Sequence, residues 1–431
     1  MINYINLLVE EVKSSKFAKD AVLLFLYSLA GRVLLFFSNI YAAKCLGPVN
    51  LGVSAQILAA VQQAALAFNG GFDTVVVRSI SEDESNTKKL FLTITLFRIV
   101  VAILLALVWI ILTLSFVKEY NLKIAWLMGA FLLVMASLNI SFLYQALQRL
   151  PIQAAFGTFA AAISALAYFT FFYPGIFVGA DLMVSVFTLS LSTIALWIYY
   201  FKYIRILDEK YYLGWQAMYL VLCNLFRKSW TYWLLAIIVF FYSTFQIPLI
   251  AFFLGNHDAG IYRSAFILAA GVELLFNSLT SLLLPKLTVW SNLGLPYLWQ
   301  KQKNLLKLFL MIGLPAILFL IISSEFIYIT FLGDKFLEGI IIFQILLVGR
   351  LVVFLGQIYA WGLAATHQDT KFLYASILGA VISVILSIIF VPQQGIIAAA
   401  IISVLSEIIV HYSCFLFMRS CLSESSNDAT R

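Results

Sequence analysis

The sequence predicts an all-α, polytopic membrane protein: about twelve transmembrane helices in two six-helix bundles around a central cavity. Three observations point there. The 431-residue chain is 63% hydrophobic and 11% charged, with mean hydropathy +1.01, which is too little polar surface for a water-soluble domain. Apolar runs near twenty residues recur along the whole chain, each long enough to cross the hydrocarbon core of a bilayer as a helix. They are continuous rather than alternating, which argues against a β-barrel. The third observation is a glycine spacing that occurs in both halves of the chain.

In order, the first six spans are expected at Ala21–Ala43, Gly52–Val75, Leu90–Phe116, Ile124–Ala146, Gln153–Tyr173 and Leu182–Phe201. The last six are expected at Trp230–Leu254, Gly260–Leu284, Leu305–Thr330, Gly339–Ala365, Phe372–Val391 and Gly395–Met418. Residues 1–201 then form an N-terminal bundle with its N-tail, 202–229 a linker, 230–418 a C-terminal bundle and 419–431 a tail. The N-tail mixes Lys13, Lys16 and Lys19 with Glu10, Glu11 and Asp20, and no small-residue cleavage site follows Ala21–Tyr41. This reads as an uncleaved first span rather than a signal peptide. The linker mixes aromatic and basic residues, as an interface-lying amphipathic segment does. The polar tail Ser420–Arg431 reads as disordered. Pro248 and Pro315, inside the seventh and ninth spans, lack the N–H a helix needs and read as bend points.

The charge pattern orients these spans. With the N-tail inside, inner connections hold, among others, Arg78, Lys88, Lys89, Arg149, Lys202, Lys210, Lys228, Lys301 and Lys371, whereas outer ones hold only Lys44, Lys118, Lys123 and Lys335. Excess Lys and Arg mark cytoplasmic loops, so both termini are expected in the cytoplasm. The net charge of +7 therefore needs no nucleic-acid partner. Four scattered cysteines and three distant histidines show neither disulfide nor zinc spacing. No Gly-rich nucleotide loop follows a strand pattern, and no cofactor is implied.

The glycine spacing is Leu46-Gly47, four residues, then Gly52, and again Leu254-Gly255, four residues, then Gly260; a looser copy runs Leu332-Gly333 to Gly339. Each sits at an outward turn between two spans. Glycine supplies positive φ and close backbone approach in such turns. Matching copies in two halves that both start inside suggest a parallel duplication.

The chemistry is expected in polar stripes inside the spans. The run from Leu254 to Lys286 is long enough to cross the bilayer yet contains Arg263 and Glu273. A charge at the bilayer centre costs on the order of 3 kcal/mol or more and normally faces a bundle interior or a wet cavity. The cations placed well inside spans are all arginines: Arg32, Arg98, Arg263 and Arg350. Arginine stays charged and grips phosphate or carboxylate through a planar fork. Arg98, near a span end, either pairs with an acid or reaches the interface.

Helical phase gathers other polar residues. Ser28, Arg32 and Asn39 share a face of the first span, Gln56 and Gln63 of the second, and Arg350 and Gln357 of the tenth. Glu273 and Asn277 share a face of the eighth, with Arg263 about 80° away. These stripes either bond across a dry bundle or line water. The few acids in reach, Asp73, Glu273 and Glu407, favour a net positive cavity and an anionic ligand. Candidate substrate-binding residues are therefore Arg32, Arg263, Arg350, Asn39, Gln56, Gln63, Gln357 and Asn277. Asp73 and Glu273 are candidates for ion coupling, or for pairing with an arginine when the cavity is empty. Glu407 and His411, one turn apart, are either a proton relay or a plain polar helix end.

In order, the chain reads CLGPVNLGVSAQI, GFDTVVVRSIS, LGNHDAGIYRSAFILAAGVELLFNSLTSLLLPKLT, FLGDKF, GLAATHQDTKFLYAS and VPQQGIIAAAIISVLSEII. With these patterns it resembles the O-antigen (Wzx-type) flippases of the multidrug/oligosaccharidyl-lipid/polysaccharide exporter superfamily. The resemblance implies transport of an undecaprenyl-diphosphate-linked oligosaccharide, such as an O-antigen or other lipopolysaccharide repeat unit, across the bacterial inner membrane. It also implies cavity arginines at Arg32 and Arg263, with a polysaccharide polymerase and glycosyltransferases as partners. Alternating access with the diphosphate on Arg32, Arg263 and Arg350 would carry the glycan past hydrocarbon. The rival readings are a cation-coupled drug exporter of the same superfamily, a membrane glycosyltransferase or polymerase, and an inert scaffold.

Overall fold

The computed structural model describes residues 16–69, 71–83, 86–204, 214–280 and 283–428. Among them every regular element is helical. In chain order these are α1 (Lys16–Asn69), α2 (Phe72–Glu82), α3 (Thr87–Phe116), α4 (Tyr120–Ser137), α5 (Ser141–Ala146), α6 (Leu150–Phe171) and α7 (Val178–Tyr199). There follow α8 (Trp215–Ser243), α9 (Gln246–Phe253), α10 (Asn256–Thr280), α11 (Leu283–Asn292), α12 (Leu295–Ile322), α13 (Ser324–Phe331), α14 (Gly339–Ala365) and α15 (Asp369–Asp428).

Among the described residues, eight helices are long and apolar enough to cross a membrane, or nine if α8 and α9, bent by 49° at their junction, make one crossing. Two of the eight run to 48 residues (Val22–Asn69) and 55 residues (Asp369–Ser423). Each breaks at a glycine with positive φ, Gly47 (φ 73) and Gly395 (φ 71). A crossing takes about 20 residues, so each has the length for two crossings, one on either side of its break. α10 carries Asp258, Arg263 and Glu273 within its apolar run.

Several boundaries differ from the sequence expectation. The fourth span is not continuous: α4 ends at Ser137 and α5 begins at Ser141. Asn139 causes this, since its side-chain oxygen accepts the Ser141 N–H at 2.9 Å and also the Ser141 hydroxyl, an alternative to the helical ladder. The bend near Pro248 comes before it, at Thr244–Phe245, because the proline ring clashes with the carbonyl four residues back. Pro315 lies inside α12, which runs unbroken through it. The seventh span extends back to Trp215, so part of the expected linker is helix. α15 continues to Asp428, through most of the tail expected to lack structure. The expected interfacial N-tail, residues 1–15, and linker residues 205–213 lie outside the described residues.

The chain divides into two compact units, residues 1–42 with 60–236, and residues 43–59 with 237–431. In the first, α2, α3, α5 and α7 meet around Phe72, Val76, Ile80, Phe91, Ile94, Leu143, Tyr144 and Leu196. Polar tips inside this core are bonded: Tyr144 Oη donates to Leu196 O at 2.5 Å and Trp197 Nε1 to Leu138 O at 2.9 Å. The second bond caps a carbonyl that the α4–α5 break leaves without a helical partner.

In the second unit α14 is the central helix, packing on α10, α11, α12 and α15. Phe354 of α14 stacks between Phe276 (centroids 4.0 Å apart) and Phe309 (4.3 Å). The sequence division at Phe201 and Trp230 leaves Ala43–Ala59 in the first half, whereas by packing this segment belongs to the second unit. The duplicated glycines supply the reason. Gly47 and Gly255 both have positive φ, at 73 and 98. Gly52 and Gly260 face each other, so that a Cβ on Gly52 would strike Asn256 O and one on Gly260 would strike Pro48 O. Gln56 Nε2 then donates to Asn256 Oδ1 at 2.5 Å.

Candidate functional site

Within the first unit α1, α6, α7 and the α4–α5 break enclose a cavity of about 420 Å³. Ser28 and Arg32, one turn apart on α1, both line it. Opposite them stand Asn139 and Ser141 from the break, Gln153 from α6 and Ser192 from α7. Thr158 of α6 donates to Tyr27 O at 2.6 Å, tying α6 to α1 at the rim. Arg32 is exposed, and no carboxylate is among the lining residues. An arginine so placed keeps its full charge for an incoming anion.

Arg98, elsewhere in this unit, is buried and ion-paired with Asp73 at 2.5 Å, and its guanidinium also lies 4.9 Å from the Phe142 ring centroid. It takes the acid-paired course of its two sequence alternatives. Asp73, a candidate for ion coupling, is thus held by an arginine, with half of its side chain exposed.

The second unit treats its cations differently. Arg350 of α14 pairs with Glu273 of α10 at 2.7 Å, with side chains 14% and 35% exposed. Glu407 of α15 is buried within electrostatic reach of both. His411 Nδ1 donates to Glu407 O at 2.9 Å and lies 3.6 Å from Glu407 Oε2. The guanidinium groups of Arg263 and Arg350 both lie over the Phe266 ring, 5.6 and 5.3 Å from its centroid. Two guanidinium groups therefore share this cluster with two carboxyl groups.

The remaining expected residues are spread out. Asn39 is exposed on α1 but does not line the Arg32 cavity. Gln56 falls in the second unit, bonded to Asn256, while Gln63 falls in the first; the stripe they were expected to share is divided. Gln357 is half-buried on α14. Asn277 lies in α10, with its side chain outside what the structure describes. The sequence reading did not single out Asn139, Ser141, Gln153 or Ser192. The one signal was the Asn139-Ile140-Ser141 capping pattern inside an apolar run.

Comparisons with known proteins agree with this architecture. The profile of the family described as "Polysaccharide biosynthesis protein" matches residues 17–288. No curated protein sequence matches the chain. Among solved structures, the chain is similar to lipid II flippase MurJ in an inward closed conformation, with TM-score 0.71 at 15% identity over 91% of this chain and 87% of that one. It is similar to an inward-facing multidrug resistance MATE family transporter of the MOP superfamily, with TM-score 0.70 at 12% identity over 92% and 96%. A MOP superfamily transporter from Pyrococcus furiosus gives TM-score 0.58 at 14% identity over 94% and 96%. At these identities the likeness is one of fold.

Proposed function

We propose, from the premise that this chain belongs to the polysaccharide biosynthesis protein family, that it is a flippase for a polyprenyl-diphosphate-linked oligosaccharide. The protein is a multi-pass membrane protein with the fold of MOP superfamily transporters; the finer reading adds substrate and direction. The substrate is an undecaprenyl-diphosphate-linked repeat unit of an O-antigen or related surface glycan. It passes by alternating access from the inner to the outer leaflet of a bacterial inner membrane, between glycosyltransferases that build it and a polymerase that extends it. The Lys/Arg bias of the connections supports cytoplasmic termini.

The reading rests on Arg32, a cation within an apolar helix that lines a cavity presenting Ser28, Asn139, Gln153 and Ser192 but no carboxylate. A glycan forced through hydrocarbon would lose the hydrogen bonds of every hydroxyl, so a polar lining supplies what the crossing needs. Arg32 is the diphosphate's partner in the first unit. Arg263 and Arg350, both in the second unit, are further candidate partners of the diphosphate. Asn39, Gln56, Gln63, Gln357 and Asn277 are further candidate contacts.

The direct test is reconstitution. In liposomes holding the purified chain, a fluorescent polyprenyl-diphosphate glycan should become accessible to a membrane-impermeant quencher. Accessibility no faster than in protein-free liposomes contradicts the reading.

A cation-coupled cycle is favoured by Glu273 and Asp73, each held by an arginine. Binding of a proton or Na⁺ at either carboxylate would release that arginine for the diphosphate. Gradient-driven transport should fall about tenfold in Asp73→Asn or Glu273→Gln, equivalent to about 1.4 kcal/mol. Undiminished transport in both variants under either gradient removes the coupling role.

A further inference from the structure

The Arg32 cavity offers more than a charge. About 420 Å³ lies near the small end of the roughly 300–1,000 Å³ range of small-molecule pockets. That volume suits one sugar ring with its substituents, not a whole repeat unit. The lining mixes groups of both hydrogen-bonding senses. Gln153 Oε1 is buried and has no hydrogen-bond donor. The Asn139 oxygen is already engaged by Ser141, so the carboxamide has its N–H donors left to offer. Ser28 and Ser192 add hydroxyls that donate or accept. Leu35, Leu150 and Leu196 supply an apolar wall.

These features select among ligand classes. A polyprenyl tail would leave the amide and hydroxyl groups without partners. A second phosphate would need a second cation. A ring bearing hydroxyls on its edge and C–H groups on its faces matches the lining in kind. Two glycines border the space. A Cβ on Gly157 of α6 would meet nothing within 4 Å, and one on Gly31 would approach only Thr158, at 3.1 Å from its Oγ1.

We infer that this cavity is a subsite for the sugar ring attached directly to the diphosphate, with Gln153 and Asn139 reading its hydroxyls and Gly157 keeping the space open. The inference rests on the reading of Arg32 as the diphosphate's partner and adds a specificity determinant to it. The first ring of the glycan is thereby recognised within one unit, while later sugars are not selected there.

The experiment measures binding to the full chain in nanodiscs with two probes, a polyprenyl diphosphate bearing one hexose and the same lipid diphosphate without sugar. Wild type should bind the hexose-bearing probe about tenfold more tightly than the bare one. Gly157→Leu, which puts a side chain into open space on a helix and favours helix formation, should bring that ratio to about one. Gln153→Leu should lower the ratio about threefold and provides the same reading should Gly157→Leu not fold. A ratio that persists in both variants, or a wild-type ratio of one with both probes bound, overturns the subsite and leaves the flippase reading standing. Failure of wild type to bind either probe overturns both.

Discussion

The two units place arginine in membrane-spanning helices in opposite ways. In the first, Arg32 is exposed and lines a polar cavity with no carboxylate in its wall. In the second, Arg350 is largely buried against Glu273, with Glu407 close by, and shares the Phe266 ring with Arg263. A guanidinium taken out of bulk water persists either beside a built-in acid or in a wet opening. Only the opening leaves the charge available to a ligand. The difference separates an arginine that holds helices together from one that is ready to bind.

Substitutions should expose that difference as a split between stability and transport. The largest stability effect is expected at Arg350→Ala. It would remove the cation paired with Glu273 and cost about 3 kcal/mol, the lower end for breaking a buried pair because Glu273 is partly exposed. Thermal unfolding of the detergent-solubilised protein reads it, with Arg32→Ala within about 0.5 kcal/mol of wild type as the contrast. Equal losses at the two positions would erase the distinction. Arg98→Ala should cost about 1–2 kcal/mol, since half-exposed Asp73 can recover water when its partner is removed. A loss matching that of Arg350→Ala would mean the Asp73 pair is as sealed as the other. Phe266→Leu, which takes the ring from beneath two guanidinium groups, should cost about 1 kcal/mol and leave Arg32-dependent transport intact. A transport defect larger than the stability loss would mean that the ring also holds Arg263 in place for the diphosphate.

Much of the fold, though not this contrast, was legible in the sequence. The apolar runs gave the helical class, and Gly339–Ala365 agrees with α14 at both ends. The glycine spacing anticipated the positive φ of Gly47 and Gly255 and the approach of Gly52 to Gly260. The arginines announced themselves because, Glu273 apart, nothing else in the runs that hold them carries charge. What stayed hidden depends on distance along the chain. The bond from Gln56 to Asn256 could not be read, because the two lie 200 positions apart. Asn139, Gln153 and Ser192 are ordinary polar residues on separate helices, and only packing brings them around one space. The choice between paired and open arginine was equally out of reach, because helical phase fixes a face and not what stands opposite it.

The account's central claim is that Arg32 is a charge kept open for the substrate. Its most direct test is the surface glycan made by cells whose only copy of this protein is Arg32→Glu, with membrane abundance and thermal stability matched to wild type. The account predicts that export falls at least about 100-fold, equivalent to about 2.7 kcal/mol of lost substrate interaction, and that Arg32→Lys recovers part of it. Normal surface glycan in the Arg32→Glu cells would contradict it.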